Sequence, residues 1–169
     1  MKTSKLFIFL LSVIIITFSS CGDDDDNYID ISSSNDIVGS WEITKVTFDI
    51  EGKNKEVVNA FKQYMKEFGN DYKGTYTFNT DGTFESIEMA LGETIEESGT
   101  YKVSNSTIYA KEDGTGMEIA YKAAILNGSL VLISDGTDLI EKELNKQGMS
   151  LSDLQITKIG ARLTLSKKG

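Results

Sequence analysis

The sequence predicts a mainly all-β chain: an eight-stranded antiparallel up-and-down barrel with two short helices. Three observations predict it. Turn signals recur at short intervals, at Asn79-Thr80-Asp81-Gly82, Asp113-Gly114, Asn127-Gly128 and Asp135-Gly136, and Asn/Asp-Gly chemistry tolerates the positive φ of tight hairpins. The runs between them are rich in Tyr, Phe, Val, Ile and Thr and alternate apolar with polar, the pattern of half-buried strands. Eight antiparallel strands with one apolar face are best served by closing into a barrel, which removes the edges.

The elements follow in order. "IVGSWEITKVTFDI" is the first strand. Its apolar phase slips: Trp41 and Ile43 share one parity, then Val46, Phe48 and Ile50 take the other. A period-2 pattern changes phase through a bulge or bend, expected near Thr44-Lys45. "EVVNAFKQYMKEF", Glu56 to Phe68, places Val57, Phe61, Tyr64, Met65 and Phe68 at helical spacing, with Gly69-Asn70 as its stop. "GTYTFNTDGTFES" gives two strands about a turn, with Tyr76, Phe78 and Phe84 as their apolar set. "SGTYKVSN" presents Tyr101 and Val103, and "STIYAKE" presents Ile108 and Ala110. "GMEIAYKAAIL" aligns Met117, Ile119, Tyr121, Ala123 and Ile125 against Glu118 and Lys122. "SLVLIS" is apolar on both faces. "DLIEKELNKQG", Asp138 to Gly148, reads as the second helix, with an N-cap and a terminal glycine. "IGARLTLSKK" closes the series with Ile159, Ala161, Leu163 and Leu165 on one face.

Ahead of this lies a different composition. Lys2 and Lys5 precede the apolar run "LFIFLLSVIIITF", then Ser19, Ser20 and the sole cysteine, Cys21. Charge, grease and small residues in that order make a secretory signal peptide over residues 1–20. The run falls short of the roughly 18 apolar residues of a membrane-spanning helix. Phe18-Ser19-Ser20-Cys21 resembles the lipobox of bacterial lipoproteins. That resemblance implies cleavage before Cys21, acylation of its thiol, and attachment to a membrane through the acyl chains. Asp23, Asp24, Asp25 and Asp26 extend a solvated spacer, since like charges repel. Cys-Gly-Asp-Asp-Asp-Asp also resembles the surface-export tag of some Gram-negative lipoproteins, which implies an outer-membrane protein exposed on the cell surface. Residues 21–35 read as a lipidated acidic linker and 36–169 as the barrel domain.

The chain carries 17 Lys and Arg against 26 Asp and Glu, a formal net charge of −9. Cleavage before Cys21 removes Lys2 and Lys5 and deepens that charge by two. An acidic chain argues against nucleic acid, whose phosphates need a basic footprint. No histidine occurs and the one cysteine is assigned to the anchor, which excludes Cys/His and Ser/His nucleophile schemes and zinc held by Cys or His. No catalytic residue, metal or cofactor is expected. Glu85, Glu88, Glu96, Glu97 and Glu118 alternate with apolar residues or stand in acidic stretches, which predicts a solvated outer face for all five.

Gly39-Ser40-Trp41 resembles the Gly-x-Trp signature of lipocalins. In that family the tryptophan plugs the closed end of an eight-stranded barrel, and a cationic side chain of the last strand, often arginine, packs across its indole. The one arginine of this chain, Arg162, lies in the last predicted strand, and the resemblance assigns barrel closure to Gly39, Trp41 and Arg162. The family implies a non-enzymatic binding module for a small apolar or amphipathic ligand, with Tyr76, Phe78, Phe84, Tyr101 and Tyr121 as candidate lining residues. The same aromatics suit a filled core, and with it a structural or interaction module accessory to an outer-membrane complex. A helix between the first two barrel strands departs from the family pattern.

Overall fold

The computed structural model describes residues 28–90, 92–137 and 150–169, together with 141, 145 and 148. Cys21, Asp23–Asp26 and most of the second expected helix lie outside the described residues. The chain runs through β1 (Tyr28–Asp30), β2 (Gly39–Gly52), α1 (Lys55–Asp71), β3 (Lys73–Phe78), β4 (Thr83–Ala90), β5 (Glu93–Ser104), β6 (Thr107–Glu112), β7 (Glu118–Leu126), β8 (Ser129–Asp135) and β9 (Ile156–Lys167). From β2 to β9 each strand pairs antiparallel with the next, and β9 returns to β2. That closes the expected eight-stranded up-and-down barrel.

β1 is a ninth strand, in the segment the sequence suggests is linker. It pairs with β7 from Tyr28 opposite Leu126 to Asp30 opposite Ala124. Ile31 and Ile37 behind it are buried. The Asp36 carboxylate accepts the backbone N–H groups of Ser32 and Ser33 at 2.7 and 2.9 Å, which holds its pKa below the usual carboxylate range. The packed domain therefore begins near Tyr28, eight residues before the expected boundary at Asp36.

β2 bonds to both β3 and β9, and its bulge makes this fit. Ile43 pairs with Leu165 and the next pair is Lys45 with Thr164, so Thr44 is the extra residue. Its Oγ1 donates to the carbonyl of Thr164 at 3.0 Å. The added residue carries odd-numbered Trp41 and Ile43 and even-numbered Val46 and Ile50 onto one buried face.

α1 begins at Asn54, whose side chain accepts from the backbone of Glu56 and Val57 at 3.1 and 3.3 Å. Val58, Met65 and Phe68 face the core, with Phe61 partly buried, whereas Tyr64 is exposed. Phe68 packs with its ring centroid 6.0 Å from Phe48 and 5.6 Å from Tyr72. Gly69 does not stop the helix, which runs on to Asp71. It permits close approach instead: a Cβ there would lie 3.0 Å from the Val46 carbonyl oxygen. α1 thus covers the inner face of the second half of β2.

At the other end, the Trp41 indole N–H donates to the carbonyl of Ile37 at 2.7 Å. The cation over the ring is Lys167, its Nζ 5.4 Å from the centroid, and not Arg162. Parity explains the correction. Lys167 shares the inward phase of Leu163 and Leu165, and it stands opposite Trp41 in the ladder. Arg162 has the outward phase and stands opposite Thr47 and Ile133, five residues or about 16 Å along the strand from Lys167. Gly39 has φ +125°, and a Cβ on it would lie 3.1 Å from the Lys167 side-chain Cε. The glycine thereby admits the lysine stem beside the indole.

This arrangement predicts an additivity pattern. Trp41→Ala should cost about 3–5 kcal/mol, as deletion of a large buried aromatic does. In double-mutant cycles by denaturant unfolding, Lys167→Ala should couple to it by about 0.5–1 kcal/mol, whereas Arg162→Ala should be additive.

Candidate functional site: a buried carboxylate and phenol cluster

The closed end of the barrel is an aromatic wall. Tyr76, Phe78, Phe84, Tyr101 and Tyr121 are all buried. The Tyr76 and Phe78 rings stack at 6.3 Å, and Phe78 meets Tyr101 edge-on at 5.0 Å. The Tyr101 hydroxyl donates to the carbonyl of Asn79 at 2.9 Å, sealing the β3–β4 turn. Phe78, Phe84 and Tyr101 therefore act as packing, while Tyr76 and Tyr121 point their phenols at a polar cluster deeper in the barrel.

Strand parity builds that cluster. β4 keeps an unbroken register with β3 and β5, so Phe84, Ser86 and Glu88 share one face. Ser86 and Glu88 are buried, while Ile87 and Met89 point out and are about half exposed. β5 sends Glu97 to the same side, directly opposite Ser86, and Tyr76 stands opposite Ser86 on β3. β6 adds Glu112, in phase with Ile108 and Ala110 and buried like them. Glu88 stands opposite Gly74 on β3 and Ile95 on β5, and Glu112 stands opposite Gly99.

The outer-face expectation holds for Glu85, Glu96 and Glu118, which are exposed. It fails for Glu88 and half-buried Glu97. Ile87 and Met89 are the misleading residues, because their apolarity suggests an inward phase that the register assigns to their neighbours. Glu112 is not among these five glutamates, and parity counted from Ile108 identifies it as inward.

The hydrogen bonds join these groups. The hydroxyls of Tyr72 and Tyr76 donate to the two carboxyl oxygens of Glu88. Tyr76 and Tyr121 share a side-chain hydrogen bond. The Glu112 carboxylate accepts from the Thr115 hydroxyl at 2.6 Å. The Ser86 hydroxyl is buried with no hydrogen-bond partner.

Electrostatics follow from burial. The Glu88 carboxyl is pushed up to about 8, first by desolvation and then by the charges of Glu97 and Glu112. Glu97 rises to about 7, again by desolvation first and then by Glu112. The phenols of Tyr76 and Tyr121 are raised above the ordinary tyrosine range, desolvation again leading. Lys73, Lys102, Lys111 and Lys122 all have the outward phase of their strands. The interior field is therefore negative. Among the described residues no group of three His, Cys, Asp or Glu is arranged to hold a metal ion. What the cluster can do is accept hydrogen bonds, hold a proton on Glu88 at neutral pH, and counter a positive charge.

Two clefts outside this interior are also present. One, of about 380 Å³, runs along the outer face beside β1 between Asp30, Ser106 and Lys122. Another, of about 630 Å³, lies by Lys53, Thr137 and Gln155 at the start of β9. Neither brings together the residues of the buried cluster.

The raised carboxyls predict a pH dependence. The folded state holds protons on Glu88 and Glu97 that the unfolded chain releases near pH 4.5. Stability is then highest below that value and falls as pH rises through about 7 to 8. Solvated carboxylates have finished titrating by about pH 6, so a fall in Tm between pH 6 and 8.5 reports the interior. Glu88→Gln, which carries no ionisable proton, should flatten most of that fall.

The sequence profile of the lipocalin-like domain family matches residues 37–132. Among solved structures, fatty-acid-binding protein 1 of Echinococcus granulosus aligns at 12% identity and a TM-score of 0.38, over 80% of this chain and 99% of that one. A comparison with curated proteins finds no match. The family profile spans the first strand of the barrel through most of β8, and the closed eight-stranded wall around Trp41 is the architecture it implies: the chain belongs to the lipocalin-like domain family.

Proposed function

We propose that this chain is a lipid-anchored cell-envelope binding protein whose barrel takes one small apolar or amphipathic ligand. The observation that carries the reading is the Ser86 hydroxyl, buried and unpartnered beside three interior carboxylates. A barrel that only holds itself together gains little from this arrangement. Burying ionisable groups costs stability, and apolar replacements of similar volume are often neutral or stabilising. An orphaned buried hydroxyl costs a further 1–3 kcal/mol or so. A ligand with polar atoms would satisfy these groups. The lipocalin-like fold is typically a binding fold, which supports binding over catalysis. The alternative, a filled barrel accessory to an outer-membrane complex, leaves the polar cluster without a use.

The anchor rests on Phe18-Ser19-Ser20-Cys21, and surface exposure on a Gram-negative outer membrane rests on Asp23–Asp26. Stable attachment takes about two acyl chains.

Native mass spectrometry of the acyl-free domain, purified from its natural envelope, tests the binding reading. It should show the protein mass plus a small molecule that is lost on denaturation. A bare protein that also fails to take up a neutral apolar dye would contradict the reading. The anchor has its own test: Cys21→Ala should abolish incorporation of a fatty-acid probe and leave an uncleaved precursor, and label retained on that variant would refute acylation at Cys21.

A further inference from the structure

We propose that the ligand of this barrel is an organic cation: a protonated amine on an apolar body, its ammonium group held among Glu88, Glu97, Glu112 and the Ser86 hydroxyl. The inference rests on the binding reading above and assigns that site its chemical class.

Three features of the interior carry it. The first is sign. Glu88, Glu97 and Glu112 project into the barrel from three successive strands, β4, β5 and β6. The basic residues of β3, β5, β6 and β7 have the outward phase, and the one inward-phase cation of β9, Lys167, is at the closed end over Trp41. A carboxylate ligand would enter a negative field in which no basic strand residue among the described residues supplies a counter-charge at this depth. An ammonium would find that charge already in place.

The second feature is the donor and acceptor inventory. An ammonium group has three donors and no acceptor. The carboxylates and the Ser86 oxygen are acceptors, and Ser86 has no partner in the protein. It stands between Tyr76 and Glu97 across the ladder and two residues from Glu88. Serine there is the group left waiting, and it sits at the centre of the acidic face.

The third feature is the surround. The rings of Tyr76 and Phe78 stack beside the cluster, and Tyr121 joins them through its bond to Tyr76. Aromatic faces attract a cation and also pack an apolar body. The carboxylates that face this surround are spread over three strands, β4, β5 and β6.

The protons of Glu88 and Glu97 give the site a signature. An alkylammonium keeps its charge to about pH 10. Binding it requires ionised carboxylates, and those ionise between about pH 7 and 8 in the empty barrel. Affinity for an amine should therefore rise as pH goes from 6 to 8.5, while affinity for a neutral analogue stays flat. The groups facing the cluster over that range are Glu88, Glu97, Glu112 and the phenols of Tyr72, Tyr76 and Tyr121; burial raises those of Tyr76 and Tyr121, which remain protonated.

Displacement of a neutral apolar dye by octylamine, octanol and octanoate tests the proposal on the acyl-free domain. Octylamine should bind at least tenfold tighter than octanol at pH 8, octanoate more weakly than either, and only octylamine should gain affinity with pH. Glu88→Gln combined with Glu97→Gln should remove the amine preference and leave octanol binding in place. Ser86→Ala should weaken octylamine severalfold without changing octanol. Octanol or octanoate binding as well as octylamine would overturn the cation assignment and leave the binding reading standing. Calcium chloride displacing the dye where octylamine does not would also overturn it. Failure of the dye and all three probes to bind would overturn both.

Discussion

A carboxyl group sealed inside a closed barrel is the constraint around which the rest of this structure is arranged. Glu88 can be buried because two phenols, from Tyr72 and Tyr76, donate to its two oxygens, and because a proton is available to it at neutral pH. Each partner belongs to a different part of the chain. Tyr72 ends α1, Tyr76 lies on β3 and Glu88 on β4. The helix between β2 and β3 is thus tied to the barrel interior by a polar contact as well as by Met65 and Phe68. A change that loosens α1 removes a donor from the carboxyl and exposes the cluster to water.

Closure depends on β2. This strand bonds β3 along its first part and β9 along nearly its whole length. The extra residue at Thr44 bends it so that Trp41 plugs one end while Val46 and Ile50 remain in the core under α1. One strand therefore serves the aromatic end and the helical end. The two ends differ in chemistry: indole, phenyl and aliphatic side chains at the first, carboxylates and phenols in the middle, and helix-borne side chains at the second. A ligand with an apolar body and a charged head matches that gradient.

Much of this was legible in the sequence. The strand count, the hairpin turns and the bulge near Thr44 follow from period-2 patterning and turn chemistry, which are local rules, whereas the expectation of a plug at Trp41 comes from the resemblance of Gly39-Ser40-Trp41 to the lipocalin signature. The failures came where the inward face stops being apolar. On β4 the outward Ile87 and Met89 look like core residues, and on β5 the inward Glu97 looks like a solvated one. Hydrophobicity then reports the wrong face, and the phase counted from Phe84 is the better guide. Arg162 failed for the same reason: its chemistry suited the indole, but its parity did not, and Lys167 had both. β1 was too short to show alternation, and its pairing with β7 is a long-range contact that no local pattern announces. The Ser86 hydroxyl was not legible at all, since an unpartnered group is defined by its surroundings.

The central claim is that the barrel interior holds ionisable carboxyls in a desolvated, mutually repelling cluster. Carbon-13 NMR of the glutamate side-chain carboxyls, assigned by single Glu→Gln variants and followed through a pH titration, measures this directly. Glu88 should titrate near pH 8 and Glu97 near pH 7. Titration of Glu88 and Glu97 near 4.5, the ordinary glutamate value, would contradict the account.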